Sequence, residues 1–283
     1  MVGARFIPAM ALVASGLAAA QSDVNIPGAE ISGWGQVREV RGTFARPAGA
    51  KPKAPAVLIL HGSNGVDGRG EFYAEALKEA GIATLELIMF VGATRPRPAH
   101  QASMPYAAAA LTWLAARPDI NGERLGVMGF SYGGVMSVLM ASEAVQERLG
   151  KDVPRPAAFA PFYPVCTNMT RFLQSPRHPF YNVHARMRPA PMLIHMGTAD
   201  DYERGQRSCD PLVAMWPPAA RSRTTVRYVE GATHGFDSRS YRRFNDDGAN
   251  GGHGGTVTVF PSPKDAADAR KAVVAFFVEN LDP

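Results

Sequence analysis

Ser131 stands within Gly129-Phe130-Ser131-Tyr132-Gly133, a spacing that suits a serine meant to act as a nucleophile. A serine hydroxyl is a poor nucleophile at neutral pH. It needs a base within hydrogen-bond reach and a third group that orients the base. The preceding Arg124-Leu125-Gly126-Val127-Met128 reads as a short buried strand, and Val135 to Ala141 reads as the start of a helix. Strand, G-x-S-x-G, helix is the context of a nucleophile elbow, in which the serine is pushed out at the carboxyl end of a sheet. Gly129 and Gly133 are the residues that let strand and helix approach so closely.

The candidate base is His234, in Gly231-Ala232-Thr233-His234-Gly235-Phe236, directly after a predicted strand. The other histidines suit the role less well. His195 sits mid-strand and reads as structural, and His253 lies in a glycine-rich loop. The candidate acid is Asp200, in Gly197-Thr198-Ala199-Asp200-Asp201, just past the strand that begins at Met192. A carboxylate there would accept the second imidazole proton and stabilise the imidazolium formed during reaction. Asp201 is the alternative, since one of the pair suits the first turn of a following helix. Oxyanion donors are expected from the backbone N–H of Tyr132 and from the Leu60-His61-Gly62-Ser63-Asn64-Gly65 segment. Ser63 N–H is the choice there, with Asn64 as neighbour alternative, and His61 reads as a residue that pins the loop. One such donor is worth on the order of 3 kcal/mol to the transition state.

Elements must carry these residues to one place. Gln36 to Phe44 is strand-like, and Ala56 to Leu60 is a continuous apolar run of the kind buried on both faces of a parallel sheet. Further strands are expected at Ile82–Ile88, Ala157–Tyr163, Met192–Met196 and Thr225–Val229. Helices are expected at Glu71–Ala80, Ala102–Ala116, Tyr202–Val213 and Ala266–Glu279. Residues 166–190 read as an irregular excursion, and Ser238–Gly255 as a mobile, Gly-rich surface loop. Alternating strands and helices imply an α/β fold, a mostly parallel central sheet with helices on both faces. Sites in such sheets form beyond the carboxyl ends of the strands.

Composition narrows the function classes. Arg5, the apolar stretch Phe6–Leu17 and Ala18-Ala19-Ala20 before Gln21 read as a signal peptide over residues 1–20. The apolar run is too short to span a bilayer, so no stable membrane anchor is expected. Residues 21–283 then form one domain, exported to the periplasm or beyond. The formal charge of +5 falls by one without Arg5, and the basic residues are scattered, which argues against nucleic acid as partner. Histidines and the two cysteines lack ligand spacing, so no metal site is expected. Cys166 and Cys209 follow strands whose ends should be neighbours, and export favours a disulfide between them.

With these residues in view, the chain resembles the dienelactone hydrolase family of α/β-hydrolases over roughly residues 35–280. Leu60-His61-Gly62, Arg124 to Gly134, Phe162-Tyr163-Pro164, Gly197 to Asp201 and Ala232 to Phe236 are similar to its successive motifs. The chain order Ser131, Asp200, His234 is that of α/β-hydrolases. The resemblance implies hydrolysis of a small-molecule ester or lactone through an acyl-enzyme, with no cofactor. The family's namesakes carry cysteine at the position of Ser131, which points this chain toward a broader carboxylic-ester hydrolase. Namesakes also hold a substrate carboxylate with arginines, and Arg95 and Arg97 are the candidate counterparts here, with solvated loop arginines the preferred reading. A small serine peptidase of the prolyl-oligopeptidase type, or a non-catalytic secreted binding protein, are the competing readings. Substrate choice rests on how residues 90–105, 166–190 and 238–255 fold over the elbow.

Overall fold

A computed structural model of the chain describes residues 21–47, 53–92 and 96–281. The expected signal peptide and Arg95 lie outside the described residues. The chain opens with β1 (Gln21–Pro27), the short ribbon of β2 (Glu30–Ile31) and β3 (Gly35–Gln36), and β4 (Glu39–Ala45). Strands and helices then alternate: β5 (Ala54–Leu60), α1 (Arg69–Glu79), β6 (Ala83–Ile88), α2 (His100–Ala116), β7 (Ile120–Phe130) and α3 (Tyr132–Met140). There follow α4 (Glu143–Leu149), β8 (Ala158–Phe162), α5 (Cys166–Leu173), β9 (Met192–Gly197), α6 (Cys209–Ala214), α7 (Pro218–Arg221) and β10 (Thr224–Val229). The chain closes with β11 (Arg242–Asp246), α8 (Ala249–Gly252), β12 (Gly255–Val259) and α9 (Pro263–Leu281).

Eight strands form one sheet in the order β1-β4-β6-β5-β7-β8-β9-β10. Only the β1–β4 and β4–β6 pairings are antiparallel. The expected α/β-hydrolase fold with a mostly parallel sheet is therefore what the chain adopts. All seven residues of β5 are buried, as their unbroken apolar run demands of a strand covered on both faces. Each fully buried Val, Leu or Ile side chain there contributes about 1.5–3 kcal/mol. Helix α1 packs with α9, while α2 packs with α3, and both groups contact the sheet. Among the described residues no helix is long and apolar enough to cross a membrane.

Three expectations are corrected. The segment 166–190 is not irregular throughout, because α5 forms at Cys166–Leu173 and a turn of 3₁₀-helix at Val183–Arg186. The N-terminal N–H groups of α5 are satisfied from afar: Cys166 N–H and Thr167 N–H donate to the Glu203 carboxylate at 2.6 and 2.8 Å. The expected helix at Tyr202–Val213 begins only at Cys209. Upstream, Asp200 accepts the Tyr202 N–H at 2.9 Å and Glu203 faces α5, so local side chains compete with helical hydrogen bonds. Finally, Ser238–Gly255 is not a plain loop. It contributes β11 and the start of β12, which pair as an antiparallel hairpin. Val257 and Val259 are buried there with Tyr202 and Ala249 in a small second core, against which Phe244 packs.

Candidate active site

The site is assembled at the carboxyl ends of six adjacent strands. Ser131 follows β7 and holds φ 51° and ψ −108°, a conformation costly to a residue with a Cβ, on the order of 1–3 kcal/mol. Crowding around it allows no bulk. A Cβ on Gly129 would lie 2.3 Å from the Gly133 carbonyl oxygen, and one on Gly133 would lie 2.2 Å from that of Leu60. Ser131 N–H donates to the Phe162 carbonyl at 3.0 Å, and the Ser131 carbonyl accepts Val135 N–H at 2.8 Å to start α3.

His234 meets the serine from the loop after β10. Its Nε2 accepts the Ser131 Oγ hydrogen at 2.9 Å, and its Nδ1–H donates to Asp200 Oδ2 at 2.7 Å. The ionised carboxylate can only accept, which places the ring proton on Nδ1 and leaves Nε2 free to take the serine proton. The rings of Tyr163 and Tyr202 flank the imidazole, with centroids 4.8 and 4.5 Å away. Of the two adjacent acids, Asp200 is the one brought to His234. Asp201 turns the other way and accepts the Thr258 N–H of β12 at 2.7 Å.

Ser63 and Tyr132 line one cavity with Ser131, whereas Asn64 lines a neighbouring outer cavity. Tyr132 N–H belongs to the first residue of α3, where no intrahelical acceptor exists, so it is available to a ligand. His61 is buried and ties two strand ends together. Its Nδ1–H donates to the Gly62 carbonyl at 2.8 Å and its Nε2 accepts Met89 N–H at 3.0 Å. Burial lowers its pKa, in keeping with a neutral ring. His195 is buried in β9 and stacked on Phe162, and burial pushes its pKa down to about 3. Arg97 lines the Ser131 cavity and donates through Nη1 to Asp246 at 2.9 Å, so it is ion-paired while staying partly exposed. Arg95 lies outside the described residues. Cys166 and Cys209 form a disulfide, with Cα atoms 5.0 Å apart, joining the starts of α5 and α6.

Sequence reading missed a buried polar cluster behind the imidazole. Arg69 donates to the Tyr163 hydroxyl at 2.8 Å and to Asp67 Oδ2 at 2.6 Å. Tyr163 in turn donates to Asp237 Oδ1 at 2.5 Å, and Tyr73 donates to Asp237 Oδ2 at 3.0 Å. Burial pushes the Tyr163 hydroxyl well above its usual range, so it acts as a neutral donor. The cluster joins three segments of the site: the loop before α1, the end of β8, and the loop of His234. Only the Asp three residues after His234 hinted at it, and nothing in sequence paired Asp237 with Arg69.

The cavity beside Ser131 holds about 300 Å³. Its walls include Pro98, Val135, Val165, Phe172 and the ring of His100, which stacks on Tyr132 at 4.3 Å. Asp246 and Gly248 of the hairpin close one side. The arrangement can deprotonate a serine, hold the resulting imidazolium, and present backbone donors beside an apolar pocket.

Comparison with known proteins agrees with the fold. The fold is shared with esterase 2 of Thermogutta terrifontis, 19% identical, over 91% of this chain and 97% of that one, with a TM-score of 0.63. Dienelactone hydrolase of Anabaena variabilis is 18% identical, over 93% of this chain and 99% of that one, with a TM-score of 0.57. A shorter stretch of 107 residues, 38% of this chain, is 29% identical to human mitochondrial acyl-coenzyme A thioesterase 2. The match spans only 22% of that relative's length. The sequence pattern of the dienelactone hydrolase family matches residues 40–280, and the chain belongs to that family.

Proposed function

We propose that the protein hydrolyses small carboxylic esters through an acyl-enzyme on Ser131. The observation that carries this reading is the unbroken hydrogen-bond series from Ser131 Oγ through His234 to Asp200. In this scheme His234 Nε2 takes the hydroxyl proton as Ser131 Oγ attacks the ester carbonyl. The N–H groups of Ser63 and Tyr132 receive the oxyanion. Protonated His234, stabilised by Asp200, then gives its proton to the departing alcohol. Water enters on the same base, attacks the acyl-enzyme and releases the acid with regeneration of the serine. The family and its esterase-like fold neighbours support hydrolase chemistry. The 300 Å³ pocket suits a short acyl or alcohol group rather than a polymer.

Thioesters are a second substrate class within the same mechanism, favoured by the local similarity to an acyl-coenzyme A thioesterase. Export is part of the proposal as well, supported by the leader-like residues 1–20 and by a disulfide suited to an oxidising compartment. N-terminal sequencing of protein taken from the periplasm would then begin at Gln21.

The test is a fluorophosphonate probe with peptide mapping, paired with turnover of 4-nitrophenyl butyrate. Labelling at Ser131 is expected, and Ser131→Ala should lower kcat at least about 10³-fold while the far-UV circular dichroism stays unchanged. Turnover at near wild-type rate in that variant would remove Ser131 from its role. An added anilide panel separates esterase from peptidase, and a butyryl thioester measures the second class.

A further inference from the structure

The cavity beside Ser131 contains an ion pair that the hydrolytic scheme does not use. Arg97 and Asp246 both line it, and both also line an outer cavity of about 540 Å³. They stand at the boundary between the two, one from the segment ahead of α2 and the other from the end of β11. Among the residues lining the inner cavity, the remaining ionisable groups are His100, Tyr132 and Tyr202. All three are neutral near pH 7. Burial holds His100 down to about 4, pushes Tyr132 up to about 12 and raises Tyr202. The outer cavity adds Arg242 and Asp247, again one charge of each sign. Among the described lining residues, formal charge therefore cancels in both chambers.

Asp246 is fixed by more than its partner. Its Oδ1 accepts Gly248 N–H at 2.8 Å, and the Tyr202 hydroxyl hydrogen-bonds to it. Burial acts to raise its pKa, but the contacts with Gly248, Arg97 and Tyr202 outweigh burial and keep it below the usual carboxylate range. Arg97 is less saturated, since its Nε is buried without a partner among the described residues. A guanidinium facing an apolar pocket would attract an anionic substrate if it stood alone. Here the carboxylate already occupies it. An anionic ester would have to displace Asp246 or lie beside it uncompensated, and a cationic ester would meet Arg97 in the same way.

We infer that Asp246 is a specificity-determining residue: by neutralising Arg97 at the rim of the pocket it selects uncharged esters over charged ones. The inference rests on the hydrolase reading above. It separates from that reading because it concerns ratios between substrates rather than turnover itself.

Three 4-nitrophenyl esters of similar length provide the test: butyrate, hemisuccinate, and 4-trimethylammoniobutyrate. Wild type should favour the butyrate over both charged esters in kcat/KM by roughly tenfold or more. Asp246→Asn keeps an acceptor for Gly248 and leaves Arg97 uncompensated, so the hemisuccinate-to-butyrate ratio should rise about tenfold. Arg97→Gln should shift preference toward the cationic ester by a similar factor, and the double variant should return both ratios close to wild type. Ratios within one variant are insensitive to partial unfolding, and a poorly folded Asp246→Asn leaves the Arg97→Gln arm to decide. Unchanged ratios in the single variants, or a wild type that takes the hemisuccinate as readily as the butyrate, would overturn the inference. A wild type inactive on all three esters would instead defeat the hydrolase reading.

Discussion

The turn at Ser131 and the hairpin of β11 and β12 face the same cavity, yet they are held by opposite means. The turn is set by steric exclusion. Gly129, Gly133 and Gly134 each sit where a Cβ would overlap backbone, at 2.3, 2.2 and 2.5 Å from carbonyl oxygens. Strand, turn and helix pack this closely only because no side chain stands at these three positions. The hairpin is set by a few polar ties across long sequence separations: Asp246 to Arg97, Asn168 to the Gly248 carbonyl at 2.8 Å, and Asp201 to Thr258. Each tie is replaceable at modest cost. Tolerance to substitution therefore differs between them: the reacting serine stands on a turn that admits no added side chain, and the pocket wall stands on a part that can be retuned.

Adjacent acids divide between these regions, so substituting each in turn separates the two. Asp200→Asn should lower kcat by about 10⁴-fold with little change in KM, because the imidazole loses the acceptor that sets its tautomer. Next comes Gly133→Ala. With a methyl group driven into the Leu60 carbonyl, the elbow cannot close, and chemical denaturation should show a loss of more than about 3 kcal/mol or no folded protein. A variant that folded normally would show that the turn is less rigid than the packing implies.

A smaller effect separates the scaffold's pH response from that of the site. Glu86 in β6 is buried, and burial pushes its pKa up to about 7 from an ordinary 4.5. An acid whose folded pKa is raised binds its proton more tightly when folded. Its stabilising contribution is complete below pH 4.5 and is lost as pH rises through 7. Glu86→Gln should therefore raise stability at pH 8.5 relative to wild type by up to about 3 kcal/mol, and the difference should vanish near pH 4. Thermal unfolding at the two pH values measures it. Smallest of all is Asp201→Asn, expected to change kcat less than fivefold while raising KM slightly as the hairpin loosens. A collapse of kcat there would mean that wall and elbow are one rigid unit.

Much of the fold was legible because the buried strands announce themselves. Ala56 to Leu60 is apolar without interruption and Met192 to Met196 is broken only by His195, and the structure extends them by only a residue or two. The order and loop positions of Ser131, Asp200 and His234 were equally legible, since each follows a strand end. Illegible parts share one cause, which is that their partners are distant in sequence. Helix α5 is capped by Glu203, the hairpin packs on Tyr202, and Arg69 reaches Tyr163 across 94 positions. Local propensity carries no information about such contacts.

The sequence alone determined that a serine would sit on a glycine-bounded turn between a buried strand and a helix, because the crowding between Gly129 and Gly133 acts over only four positions. It also determined that a histidine and an acid would stand at later strand ends. Tertiary structure decided which of Asp200 and Asp201 faces the imidazole, since the choice depends on where β12 offers Thr258 N–H. It decided too that Arg97 pairs with Asp246, since a hydrogen bond spanning 149 positions exists only once the hairpin has docked over the cavity.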